Sequence, residues 1–313
     1  MLLGQEAVLE LLRCPASGVS LQSLDSNVLV AYSTDGTHEY DVVDNYPVLI
    51  RFENSILDRS DIQHLSSTVH RQSYGGVFGV AKRLACPPSH VTKSNVDVLL
   101  NTLLSQQNSA RVLIIGGGTV GCGMEPFYVD PRIELVSFDI YASPSVQFLA
   151  DAHNIPLVSE SFDAVIIQAV LEHVLRPEEV VAEAYRLLKP DGLVYAETPF
   201  LQHVHEGAYD FTRYTESGHR YLFRCFSLIK SGASAGAGTQ LLWAFDSFFC
   251  GLFRSKIIGK FIKLGLCWLQ YLDRLIPEAY NVDAASGVYF LGRKTREVIK
   301  DVSIVEYYKG AQR

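Results

Sequence analysis

Arg111-Val112-Leu113-Ile114-Ile115-Gly116-Gly117-Gly118-Thr119-Val120-Gly121-Cys122-Gly123 joins a short apolar run to a cluster of glycines. Four consecutive apolar side chains suit a strand covered on both faces. Such a run breaking into glycines is the way a parallel strand delivers its chain to a ligand. Gly116, Gly118 and Gly121 are spaced G-x-G-x-x-G. Glycine is needed there if the backbone turns tightly and a ligand approaches it closely. A tight turn with no ligand would leave the same trace, so the downstream chain has to decide.

Residues 133–140 read as a second buried strand, and Asp139 stands near its end. A carboxylate about twenty residues past the glycines is placed to accept hydrogen bonds from a ribose diol, although a turn or helix-cap residue would look the same. Residues 161–168 form another apolar run, led by Phe162-Asp163 and ending at Gln168. An amphipathic helix over 177–188 stops at Lys189-Pro190-Asp191-Gly192, and a further strand follows over 193–197. The order is α/β, with strands alternating with helices.

Three blocks in this order, RVLIIGGGTVGCG, DAHNIPLVSESFDAVIIQAVLEHV and RLLKPDGLVYAETP, resemble the class I methyltransferases that use S-adenosylmethionine (SAM). Nicotinamide enzymes share the first half of the pattern but not the downstream blocks. The resemblance implies a Rossmann-like sheet of seven strands with the last one antiparallel. It also implies that Gly116, Gly118 and Gly121 shape the loop under the methionine part of SAM. Asp139 would take the ribose hydroxyls with Ile140 beside it, Asp151 would accept from the adenine amine next to Ala152, and Gln168 would face the sulfonium. Ile114 departs from the pattern, because the family often carries an acid there. Glu172 and His173 match the family's Glu-His pair, whose plainer use is to hold the turn after the fourth strand.

The segment Pro199 to Thr215 gathers His203, His205, Glu206, Tyr209, Asp210, Arg213 and Tyr214 in one loop beyond the fifth strand. Its P-F-x-x-x-x-H-x-x-x-x-D-x-x-R-Y-T spacing resembles methyltransferases of polysaccharide and glycolipid biosynthesis. It implies a saccharide or glycolipid hydroxyl as acceptor. A hydroxyl is a poor nucleophile until its proton is removed, and imidazole titrates close to neutral pH. His205 is therefore the expected base, with Asp210 orienting it. His203, Arg213 and Tyr214 are expected to contact the acceptor, Arg213 through its planar fork on a phosphate or carboxylate. His203 and His205 with Glu206 or Asp210 could instead hold a divalent cation, and mutual pairing to fix a loop is a third reading; no metal is expected.

Residues 1–55 read as a separate small unit. LLRCPASG and the close EYDVVDNYPVLI resemble a zinc-ribbon-like adapter domain that precedes or partners many methyltransferases. Only Cys14 remains of the cysteine pairs, so a metal-free version is expected. Residues 56–90 are expected to be a linker or lid, and 91–296 the SAM-binding domain. A helical insertion is expected over 239–280 and a peripheral tail over 297–313. The insertion is rich in aromatics, and its charge-free runs are too short to span a membrane. It is expected to be a lid or a dimer face, or else to lie in a membrane interface through Lys256, Lys260 and Lys263.

Net charge is −7, which argues against a broad nucleic-acid footprint. The 6 cysteines are scattered with no C-x-x-C pair, as expected of reduced thiols in a cytoplasmic protein. A homo-oligomer is an open expectation.

Overall fold

The computed structural model describes residues 1–60 and 89–312. Most of the expected linker or lid, residues 61–88, lies outside them. In chain order the first elements are α1 (Gln5–Leu11) and a four-stranded antiparallel sheet, β1 (Gln22–Ser23), β2 (Val28–Ser33), β3 (Gly36–Val43) and β4 (Tyr46–Pro47). There follow α2 (His90–Gln106), β5 (Ala110–Ile115), α3 (Glu125–Val129), β6 (Ile133–Asp139), β7 (Phe148–Leu149), β8 (Phe162–Gln168), α4 (Pro177–Leu187) and β9 (Leu188–Pro199). The rest is α5 (Glu216–Leu222), β10 (Phe226–Ala235), α6 (Ala237–Phe253), α7 (Lys256–Gly265), α8 (Glu278–Asp283), β11 (Gly287–Lys294) and α9 (Asp301–Tyr307).

The large sheet has seven strands in the order β10-β11-β9-β8-β5-β6-β7. β11 alone runs antiparallel to its neighbours, as expected. β5 pairs in parallel with β6 on one side and β8 on the other. The chain thus leaves β5 in one direction and returns on its far side. That reversal opens a crevice at the strands' carboxyl ends, where sheets of this kind hold ligands.

Alternation along β5 builds a core on each face. Leu113 and Ile115 pack with α1 and α4, whereas Val112 and Ile114 pack with α2. The N-terminal unit is continuous with the first of these cores: Val8, Leu12, Cys14 and Leu29 join Val136, Phe138 and Leu157. Bridges Leu12–Leu157 and Val48–Leu149 tie the N-terminal unit to the rest of the chain at the backbone.

Two expectations from the sequence differ in detail, a helix from Ser94 to Leu104 and a flexible run over 231–238. α2 begins at His90, because Ser89 caps it by accepting from the N–H groups of Val91 and Thr92. The Ser-, Gly- and Ala-rich stretch 231–238, expected to be flexible, divides between the second half of β10 (231–235) and the start of α6. The small side chains of 231–235 fit a strand whose Ser231 and Ser234 are buried, and their backbone is held by β11. The tail is pinned, since the Tyr307 hydroxyl donates to Glu216 and the Ala311 N–H to Asp283. Among the described residues no helix is long and apolar enough to cross a membrane.

Candidate functional site

Two cavities open at the carboxyl edge of the sheet, with Ile115, Gly116 and Ala169 as their common wall. Gly116 leaves β5 at φ +75°, and a Cβ there would lie 2.3 Å from Val170 Cγ2. Ala169, just past β8, also has a left-handed backbone, at φ 54°. For a residue with a Cβ this costs about 1–2 kcal/mol, and the bond from its N–H to the Glu197 carbonyl (3.0 Å) holds it there.

The first cavity runs toward β6. Asp139, Ile140, Ala152 and Asp151 line it. Asp139 Oδ2 accepts from the Gly118 N–H and Oδ1 from the Ile140 N–H, both at 2.7 Å. These two bonds aim the carboxylate, one to each oxygen. They also make the glycine loop and Asp139 one unit. Asp151 is held by its neighbours. His153 Nε2 accepts from the Arg176 N–H, so its Nδ1 carries the proton and donates to Asp151 Oδ1 at 2.6 Å. Ser55 donates to the other oxygen. Burial pushes the Asp151 carboxyl up, but the bonds from His153 and Ser55 outweigh it and leave it below the usual range.

The second cavity runs toward β9 and is lined by Gly121, Gln168, Glu172, Glu197 and His205. The Gln168 amide donates to the Cys122 carbonyl (3.2 Å) and to Glu197 Oε2 (2.9 Å). Its Oε1 is buried and, among the described residues, without a hydrogen-bond partner, at the place a Cβ on Gly121 would occupy. Glu197 also accepts from Thr92 and Tyr195. The acid absent at position 114 on β5 has a counterpart in Glu197 at the mouth of β9, two strands away, and both positions line this cavity.

The acceptor loop does not assemble as expected. His203 lies against Trp243, with ring centres 5.4 Å apart, while His205 lies edge-on to His173 at 5.1 Å. The two histidines therefore have different partners, and alternation in an extended strand does not describe the loop. Arg213 donates to the carbonyls of Gln202, Thr212 and His203 and to both oxygens of Asp210. Here the guanidinium fastens its own loop instead of facing an acceptor. Tyr214 packs on the core beside His219. Asp210 does back His205: its Oδ2 accepts from the His205 backbone N–H at 2.9 Å and lies 3.4 Å from Nδ1. Burial pushes Asp210 up, yet Arg213 and the His205 N–H prevail and hold it well below the usual carboxylate range. Glu172, in contrast, is pushed up to about 8, chiefly by burial.

Ser55, Leu57, His153 and Glu197 were not singled out by the sequence. Glu197 carried a signal, a carboxylate at the carboxyl end of a parallel strand. The others reach the site only through tertiary contacts, with Ile56 and Leu57 walling the first cavity.

Residues 128–196 match a family described as a methyltransferase domain. A demethylmenaquinone methyltransferase of Renibacterium salmoninarum is 35% identical over 145 residues, covering 43% of this chain and 57% of the relative. One of Paenarthrobacter aurescens is 36% identical over 98 residues, covering 28% and 38%. The chain thus spans little more than half the length of the first and less of the second. A solved phosphoethanolamine N-methyltransferase 2 of Haemonchus contortus, in complex with SAM, has 15% identity and a TM-score of 0.44, covering 72% of this chain and 58% of that one. The fold is the Rossmann-like seven-stranded methyltransferase sheet.

Proposed function

We propose that this protein is a SAM-dependent methyltransferase acting on a hydroxyl of a small-molecule acceptor, a saccharide or glycolipid precursor. The observation that carries the reading is the pair of cavities meeting at Gly116 and Ala169, one ending on Asp139 and the other on Glu172 and His205. SAM, when bound, supplies a methyl carbon on a cationic sulfur. The Gly116 bend leaves room where a Cβ would collide, which fits a ligand pressed against the backbone. Asp139 holds the ribose hydroxyls, Ile140 and Ala152 flank the base, and Glu197 with Gln168 supplies polarity at the methionine end. His205, backed by Asp210, takes the acceptor's proton as its oxygen bonds to the methyl carbon. Such a base contributes roughly 10²–10⁴-fold.

The acceptor loop adjoins the α6–α7 hairpin through His203 and Trp243. That hairpin presents Phe248, Leu252, Ile257 and Phe261 outward beside Lys256 and Lys260. An apolar face edged by lysines suits an anionic lipid surface, and this favours a lipid-borne acceptor such as a glycolipid precursor. The curated relatives' name points to a quinone as the second acceptor class.

Incubation with SAM and candidate acceptors, followed by mass spectrometry, tests the reading. Gain of one methylene on a glycolipid precursor supports it, gain on a quinone alone replaces the acceptor, and binding of SAM without transfer to any acceptor would make the chain a non-catalytic partner. His205→Ala is expected to keep SAM binding and lose at least tenfold in turnover. Unchanged turnover removes His205 from the base role.

A further inference from the structure

Glu172 poses a problem that the fold does not solve. Its side chain is 1% exposed, and among the described residues neither carboxylate oxygen has a hydrogen-bond partner. A buried acid left in this way costs several kcal/mol if charged. What does face it is two imidazoles. The single turn Leu171–His173 sets His173 beside it, and His205 arrives from the loop beyond β9. His173 Nε2 lies 3.6 Å from Glu172 Oε1, and His205 Nε2 lies 3.9 Å from the same oxygen. The three ligating atoms all fall within 4.8 Å of one another.

A hydrogen bond at the other nitrogen orients the His173 ring, and the other nitrogen of His205 lies near a carboxylate. His173 Nδ1 sits 2.6 Å from the Tyr209 carbonyl, so it must carry the proton and donate, leaving the Nε2 lone pair toward Glu172. His205 Nδ1 lies beside Asp210, which Arg213 holds in place. An imidazole whose far nitrogen is bonded to a carbonyl or carboxylate is the usual arrangement of a metal-binding histidine. A first-row cation binds such nitrogens at about 2.1 Å, which sets neighbouring ligands about 3.0–3.4 Å apart. A contraction of the order of 1 Å would close the set, with the unfilled positions toward the second cavity.

We propose that Glu172, His173 and His205 form a binding site for a divalent first-row transition cation of the zinc class. Two neutral imidazoles and one carboxylate suit such ions better than magnesium or calcium, which prefer oxygen. The ion's chemical role rests on the methyl-transfer reading and changes one assignment in it: with His205 as a ligand, the ion would polarise the acceptor hydroxyl and the proton would pass to solvent water, whereas His205 is the base only in the metal-free site. Its binding does not rest on that reading.

Tag-free full-length protein, stripped with a chelator and titrated calorimetrically with zinc alone, tests the site. One-to-one binding is expected, weakened at least tenfold by Glu172→Gln and by His205→Ala and unchanged by His203→Ala, with cobalt reporting the same three ligands in its visible spectrum. His205 is on a surface loop, so its variant keeps the test usable if Glu172→Gln does not fold. Absence of binding, or binding that survives both substitutions, overturns the proposal; so does equal loss on His203→Ala, which marks adventitious histidine binding. SAM titrated into the same samples separates this outcome from failure of the methyltransferase reading.

Discussion

At the scale of single residues, the site depends on positions where a side chain would not fit or a charge could not form. Gly116→Val puts a β-branched side chain at φ +75° and into Val170. It should lower stability by about 2 kcal/mol and SAM affinity at least tenfold, read by thermal melting and calorimetry. A variant that melts and binds like wild type would show that this bend is not a ligand cradle.

His219 gives a pH prediction. It is buried on α5, 3.1 Å from Thr198 Oγ1, and burial drives its imidazole down to about 3. The unfolded chain binds that proton near pH 6.5. Below that value the unfolded state holds more protons, so stability falls as pH drops toward 3, by about 1.4 kcal/mol per pH unit. Above 6.5 the contribution is flat. Between pH 7 and 5, wild type should lose about 2 kcal/mol more than His219→Gln in urea unfolding. Equal losses would mean the imidazole is protonated in the folded state.

Asp139 and Gly116 were legible in the sequence because strand, glycines and acid are close along the chain, and local spacing encodes their geometry. His173 was legible only as half of a pair. Its partner His205 lies beyond α4, β9 and part of a loop, and no periodicity links them. Arg213 was misjudged because a fork that suits a substrate anion suits Asp210 three residues away equally well.

At the scale of elements, β10 shows why small-residue runs mislead. Ser, Gly and Ala lower the cost of flexibility, but they also let two backbones approach, and pairing with β11 decided the matter. The α6–α7 hairpin shows the converse. Its aromatics suggested a buried lid, yet among the described residues Phe261 remains 70% and Ile257 66% exposed. Lys263 lies 3.4 Å from the Trp243 ring centre, which braces the hairpin beside the acceptor loop. Vesicles of anionic lipid should co-sediment the protein, and Lys256→Glu with Lys260→Glu should reduce the bound fraction severalfold, since each basic residue near such a surface contributes about 1 kcal/mol. Self-association of the wild type with no vesicle binding would assign the face to a second copy instead.

At the scale of the whole molecule, the N-terminal unit was visible as a composition shift, but its attachment was not. Leu12 is 1% exposed and sits in the core shared with β6. Leu12→Ala should therefore lower the stability of the entire chain by about 2–5 kcal/mol, in one cooperative transition that includes the large sheet. A separate early transition would show the unit to be autonomous. The same attachment brings Ser55, the last residue of that unit, onto Asp151, and Leu57 just beyond it lines the first cavity, so this part of the chain and the large sheet build the pocket together. What the account needs above all is that this pocket binds SAM through Asp139. Calorimetric titration of SAM into wild type and Asp139→Ala, each verified as folded, measures that directly. One-to-one binding in wild type, weakened at least tenfold in the variant, is the predicted result; no binding at millimolar SAM, or equal affinity in both proteins, would contradict it.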